Sequence, residues 1–174
     1  EVGKSMDVER RPKEYFDRFA ERPVIIKPFD PESKRESSHY LTMLNEILAP
    51  LGVSAELFGS VELEIAGKGE WEFAIWLNDQ QWYPVLIRLI NHYGAIYELS
   101  DDFVLFEDSY NGTPIEVIPM RANTAQRNQA VMNHWRTNPD ALQAYERGKA
   151  QHAHSKREYY WWKENLIADI LEPL

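Results

Sequence analysis

The stretch FGSVELEIAGKGEWEFAIWL, residues 58–77, decides how this chain is read. In its second half Trp71, Phe73, Ile75 and Leu77 share one parity, while Glu70 and Glu72 share the other. Side chains two apart on a strand point to the same face, so a strand over 70–77 buries the first set and sets two carboxylates side by side on the second. Two like charges that close repel, and one is driven toward protonation unless a cation sits between them. A divalent ion that prefers oxygen ligands and keeps several waters, magnesium or else manganese, suits such a pair when substrate phosphates complete its shell. Just upstream, Gly59 lets the backbone come close to a ligand, and Ser60 offers a hydroxyl and an N–H to a phosphate oxygen. The alternation at Glu62-Leu63-Glu64 is also that of an ordinary solvent-facing strand, so the glutamate pair takes its weight from its surroundings.

Those surroundings include a third carboxylate. Glu116 lies in TPIEVIPM, residues 113–120, between apolar neighbours on a strand that can pair beside the first. It is placed to complete a metal site with Glu70 and Glu72. The intervening chain supplies the rest of a sheet. VSAELFGS (53–60), AIYEL (95–99) and DFVLFEDS (102–109) read as strands, and Asn111-Gly112 is a hairpin-type turn pair. Leu41, Leu44, Ile47, Leu48 and Leu51 recur at helical spacing after a cap at Ser33 or Ser38. Trp82, Leu86, Leu89, Ile90 and Tyr93 form a second helical stripe, ended by Gly94. Beyond Arg121 three helices are expected, over about 124–136, 139–153 and 156–171, with Asn138 capping the second and Pro139 at its first position. The fold class is therefore α+β, a mixed sheet with an N-terminal helix and a helical C-terminal portion.

The chain has 174 residues, 44% of them hydrophobic and 13% aromatic, enough to bury one core, and we expect a charged leader over 1–22 followed by a single domain over 23–174. It contains no cysteine, which excludes disulfides and thiolate metal sites and favours a reducing, cytoplasmic setting. No apolar run suggests a membrane span, and the opening residues are charged where a signal peptide is apolar. The formal net charge of -9 argues against non-specific nucleic-acid binding, which draws its affinity from a basic surface. Charge is divided unevenly: residues 1–120 carry 22 acidic and 11 basic side chains, whereas residues 121–163 carry 8 basic and 3 acidic ones. Solvated surfaces explain that division, and so does a cleft with one wall for cations and one for phosphate.

The order apolar-Gly-Ser, then Glu-apolar-Glu-apolar, then much later apolar-Glu-apolar resembles the signature of the nucleotidyltransferase-fold superfamily. Within it the chain is similar to the GrpB-like family over residues 23–171. VIIKPFDPES (24–33) resembles that family's opening strand and Pro-Tyr-Asp-Pro turn, with Phe29 for the tyrosine. Residues 58–75 resemble its Gly-Ser loop through the Ala66-Gly67-Lys68 element. HWRTNPDALQAYERGK resembles its Arg-x-x-Pro, Tyr-x-x-x-Lys helix through Arg136, Pro139, Tyr145 and Lys149, and YYWWKENLI its last helix through Tyr159, Lys163 and Ile167. Three departures stand out. Val61-Glu62-Leu63-Glu64-Ile65 replaces the family's Thr-Ala-Val-Pro-Gly in a loop one residue shorter, Glu72 falls where an aspartate is usual, and PIEVIPM falls where the family has a His-rich strand.

The resemblance implies nucleotidyl transfer: a nucleoside monophosphate passes from a nucleoside triphosphate to an acceptor that the sequence does not identify, and pyrophosphate leaves. Glu70, Glu72 and Glu116 would hold one or two magnesium ions, with Glu116 as metal ligand or general base. Gly59, Ser60 and Lys68 would meet the triphosphate, Arg136, Lys149 and Lys163 would add positive charge, and Tyr145 or Tyr159 would stack on the base. Other readings compete: a nucleotide- or metabolite-binding module without turnover, which the short loop and Glu72 favour, and an interaction domain using YYWWKENL, in its simplest form a homo-oligomer. Trp161 and Trp162 cannot both face one side of a helix. His152 and His154 point in different directions on a helix and His134 stands apart, so the histidines are read as solvated or hydrogen-bonded rather than as metal ligands.

Overall fold

A computed structural model describes residues 6–8 and 10–174. The chain divides into two compact units, residues 28–126 and residues 1–27 with 127–174.

The first unit begins with α1, Pro31–Leu48, whose start is set by Asp30: its carboxylate accepts from the Glu32 N–H at 3.0 Å, with Pro31 at the first helical position. This corrects the expected cap at Ser33 or Ser38, because an aspartate immediately before proline satisfies the first turn earlier. Tyr40, Leu44 and Leu48 recur every four residues and are buried. The chain leaves the helix through Pro50 and a left-handed Gly52. Strand β1, Glu56–Phe58, follows and is shorter than expected, because Gly59–Glu62 turns into a single helical turn, α2. Strand β2, Trp71–Leu77, has the alternation read from the sequence, with Trp71, Phe73, Ile75 and Leu77 buried. Helix α3, Asp79–Tyr93, starts in a capping box between Asn78 and Gln81 and ends at a left-handed Gly94.

Of the expected strand 95–99 only Glu98–Leu99 pairs, as β3. Strands β4, Val104–Tyr110, and β5, Thr113–Arg121, form the expected hairpin: Asn111 and Gly112 both have positive φ, 50° and 81°, the conformation a two-residue turn needs to match strand twist. The sheet order is β1-β2-β5-β4-β3, with β2 and β5 parallel and the other neighbours antiparallel. Phe73, Ile75, Ile115, Val117 and Phe106 pack with the buried side chains of α1 and α3 in the main core. The opposite parity, Glu72, Ala74 and Trp76 on β2 with Glu116, Ile118 and Met120 on β5, makes the second face. The opening strand that the resemblance implies near 24–27 is reduced to one isolated bridge at Lys27.

The second unit is helical. It contains most of α4, Ala122–Thr137, together with α5, Pro139–His152, and α6, Lys156–Leu171, close to the expected limits. Residues 1–5 and 9 of the expected leader lie outside the described residues. Its described part contains a 3-10 helix, Lys13–Arg18, with Phe16 buried. Arg10 bonds Asp169 and Glu172 on α6 at 2.6 and 2.8 Å, and Arg11 pairs with Glu164. Among the described residues no helix is long and apolar enough to cross a membrane.

Candidate functional site

The carboxylates of interest lie on the second sheet face because strand pairing puts them there. Glu72 and Glu116 are direct neighbours in the parallel β2–β5 register. Counting four residues from the Asn111-Gly112 turn along each strand pairs Glu107 with Glu116, so Glu72, Glu116 and Glu107 form one row across three adjacent strands. Glu107 was missed in the sequence reading. Two signals could have found it: the two-residue turn sets the hairpin register, and buried Phe106 sends its neighbour to the opposite face.

Gly59 is fitted against this row. Its φ is +74°, and a Cβ placed there would overlap the Glu72 carboxylate. Glycine at 59 therefore permits both the left-handed turn into α2 and the close approach of Glu72. Ser60 follows in the same turn. Glu70 sits one residue before β2 and pairs with Lys68, Nζ to Oε1 at 2.7 Å.

Burial raises the Glu116 carboxyl from 4.5 to about 7; the Glu72 charge, and to a smaller degree Glu70 and Glu107, push in the same direction while Lys68 opposes them. An acid so placed is half ionised near neutrality. It can take a proton from a hydroxyl in one step and release it in another. Among the described residues no group of three or more histidine, aspartate or glutamate side chains is arranged to hold a metal ion. The Glu72–Glu116 pair nevertheless has the donor chemistry of a magnesium site: two oxygen ligands, side by side, whose mutual repulsion shows in the raised Glu116.

The remaining candidates lie in the helical unit and are built differently from one another. Tyr145 stacks on Trp135 at 4.0 Å with 9° between planes, and Trp162 follows at 6.0 Å. Tyr159 is 1% exposed. Packing thus engages both rings expected to stack on a base, because four aromatic side chains at helical spacing fill the space among α4, α5 and α6. Lys149 is 2% exposed, with its Nζ 4.7 Å from the centre of the Tyr145 ring. Arg136 is exposed on the last turn of α4, and Lys163 lines a cavity against the 3-10 helix. Trp162 stacks on His152 at 4.6 Å, whereas Trp161 receives the Lys13 ammonium at 4.5 Å, so the two tryptophans do face different ways. His152 Nδ1 is hydrogen-bonded to the Gly148 carbonyl at 2.8 Å.

No protein-family model matches the sequence, and no curated protein does. Among solved structures the chain is similar to a cytoplasmic RNA terminal U-transferase, at 12% identity and a TM-score of 0.43 over 74% of this chain and 39% of that one. It is also similar to the Cid1 poly(U) polymerase in a structure with magnesium and 3'-dATP bound, at 8% identity and a TM-score of 0.46 over 74% and 41%. The chain spans about two fifths of the length of these structures. Likeness of this degree carries no inference about activity.

Proposed function

We propose that the second sheet face is the reaction site of a metal-dependent nucleotidyltransferase of GrpB-like type, acting on a nucleoside triphosphate and an acceptor hydroxyl. The observation that carries this reading is the pairing of Glu72 with Glu116 on adjacent parallel strands, with Gly59 lying against the Glu72 carboxylate. The sequence resemblance from Gly59 to Glu116 supports it. Magnesium, held by Glu72 and Glu116, would neutralise charge on the transferring phosphate.

The chain's own groups do the rest. Glu116, which a bound cation would keep ionised, accepts the proton of the attacking hydroxyl. The acceptor oxygen bonds to the α-phosphorus as the bond from that phosphorus to the bridging oxygen breaks, and pyrophosphate departs with the electron pair. Gly59 leaves room for Glu72, and the Ser60 hydroxyl donates to the β- or γ-phosphate. Lys68 screens the row from the Glu70 side.

The Lys68–Glu70 pair at 2.7 Å favours a second reading. A carboxylate already matched by an ammonium is less available to a metal, which suits a nucleotide-binding module without turnover. Release of pyrophosphate from each of the four nucleoside triphosphates, with magnesium present or absent, separates the readings when nucleotide binding is measured alongside. Transfer requires magnesium-dependent release that falls by a factor of about 10² or more in Glu116→Gln. Binding without release supports the module, and absence of binding removes both.

A further inference from the structure

Large exposed apolar side chains gather in one stretch of this chain. Tyr83, Ile87, Tyr97 and Leu99 are 60–67% exposed, and Ile90 and Ile96 are 37% exposed. Topology brings them to one corner of the first unit. Helix α1 packs over β1 and β2, and α3 over β2, β5 and β4, on the core face of the sheet. With Trp82, Leu86 and Leu89 buried beneath α3, helical spacing puts Tyr83, Ile87 and Ile90 roughly 100° to one flank and Arg88 roughly 100° to the other. Arg88 Nε donates to the Ile47 carbonyl of α1 at 3.0 Å, so the apolar flank is the one turned from α1 toward the β3 edge. There Leu99 pairs with Val104, a core residue, and so stands on the same sheet face as α3. Tyr97, whose N–H bonds the Leu105 carbonyl at 2.9 Å, shares that parity. The result is an exposed apolar step at β3 beside the α3 ridge.

Single exposed apolar side chains need no explanation, but a joined patch does. At ordinary side-chain areas these six leave on the order of 700 Å² open, more than the roughly 300–600 Å² of the largest patch on a typical monomer. It is close to the roughly 800 Å² that each partner gives to a stable interface. Charge favours a second copy as the occupant. Within 83–99 the formally charged side chains are Arg88 and Glu98. Arg88 is on the α1 flank, and Glu98, opposite Leu105, is on the other sheet face. An uncharged surface has nothing to steer an oppositely charged partner, whereas copies of a chain of formal charge -9 meet with least repulsion where charge is absent. Shape agrees. A ridge and a step on one surface complement each other under a two-fold rotation, which lays each α3 over the other copy's β3. With two residues, β3 is too short to template strand pairing, so side chains carry the contact.

We propose that this corner is the interface of a two-fold homodimer, with Ile87 and Leu99 near its centre. The carboxylate row lies on the opposite sheet face and stays open, so the proposal does not depend on the transfer reaction. Nor does it use the YYWWKENL segment.

Sedimentation equilibrium of the full chain from about 1 to 200 µM, without magnesium or nucleotide, tests it. The chain should reach twice the monomer mass and stop there, with Kd below about 100 µM. Ile87→Glu and Leu99→Glu should each weaken the dimer about 30-fold or more, because a carboxylate is then desolvated in an apolar contact. Both positions are exposed, so far-ultraviolet circular dichroism of the dilute variants should match that of the unaltered chain. Ile25→Glu, at a position 73% exposed outside the corner, should leave the dimer unchanged. In nuclear magnetic resonance of the unaltered chain, the Ile87, Ile90 and Leu99 methyl signals should shift with concentration and lose access to a soluble paramagnet. A monomer throughout the range would overturn the proposal, and one with protected methyls would mean that another part of the chain covers the corner. A dimer that survives both glutamate variants, or assembly that grows past two copies, would overturn it as well.

Discussion

Glu116 shows how much one residue's surroundings decide. Its carboxyl is pushed up to about 7, first by burial and then by Glu72. A folded-state value above the unfolded one means that the folded chain keeps a proton that the unfolded chain gives up between about pH 4.5 and 7. The resulting stabilisation is complete below about pH 4.5 and is lost as pH rises through about 7, with a size on the order of 2–3 kcal/mol. Urea unfolding of Glu116→Gln beside the unaltered chain should therefore show the variant gaining on it from pH 4 to pH 8. A difference that stays constant over that range would contradict the burial of Glu116. Gly59 permits a companion experiment. Gly59→Ala combines left-handed strain of about 1–2 kcal/mol with a clash against Glu72. In a Glu72→Ala background only the strain remains. The cost of Gly59→Ala should fall accordingly, and equal costs in the two backgrounds would show that the two residues do not meet.

At the scale of the element, alternation was legible and register was half legible. The 71–77 strand read correctly because one face is buried, so its parity is strongly specified. The hairpin turn read correctly because Asn-Gly adopts positive φ cheaply. The pairing of Glu107 with Glu116 was available by counting from that turn, but the parallel pairing of β2 with β5 connects strands far apart in sequence and leaves no local mark. Helix packing hides its requirements in the same way. Gly148 sits inside α5, where alanine has the better propensity by about 1 kcal/mol. Yet a Cβ there would overlap the Trp162 ring, which is held by its stack on His152. The clash should win: Gly148→Ala is expected to lower stability by about 1–3 kcal/mol in urea unfolding. A stabilised variant would mean that α5 and α6 are not so close.

At the scale of the whole molecule the leader changes its meaning. Charge alone marks the opening segment in the sequence, but Phe16 is buried and Arg11 neutralises Glu164, whose side chain is 9% exposed. Removing residues 1–22 uncovers the surface that Phe16 fills and leaves Glu164 without its cation, which should cost on the order of 3 kcal/mol. Thermal unfolding of the truncated chain would show it as a lower midpoint. An unchanged midpoint would mean that the segment only decorates α6.

By itself the sequence determined the α+β class, the β2 and hairpin strands, the three C-terminal helices and the candidacy of Glu70, Glu72 and Glu116, because periodicity, turn chemistry and parity act over a few residues. Tertiary structure alone decided that Glu72 lies beside the Glu107–Glu116 pair, that Lys68 pairs with Glu70, that Tyr145 and Tyr159 fill a core, and that the leader docks on α6. Each of these depends on which distant surfaces meet. A side chain's charge, exposure and partner are properties of that meeting, set by burial and by the fields of neighbours that the linear order does not place beside it.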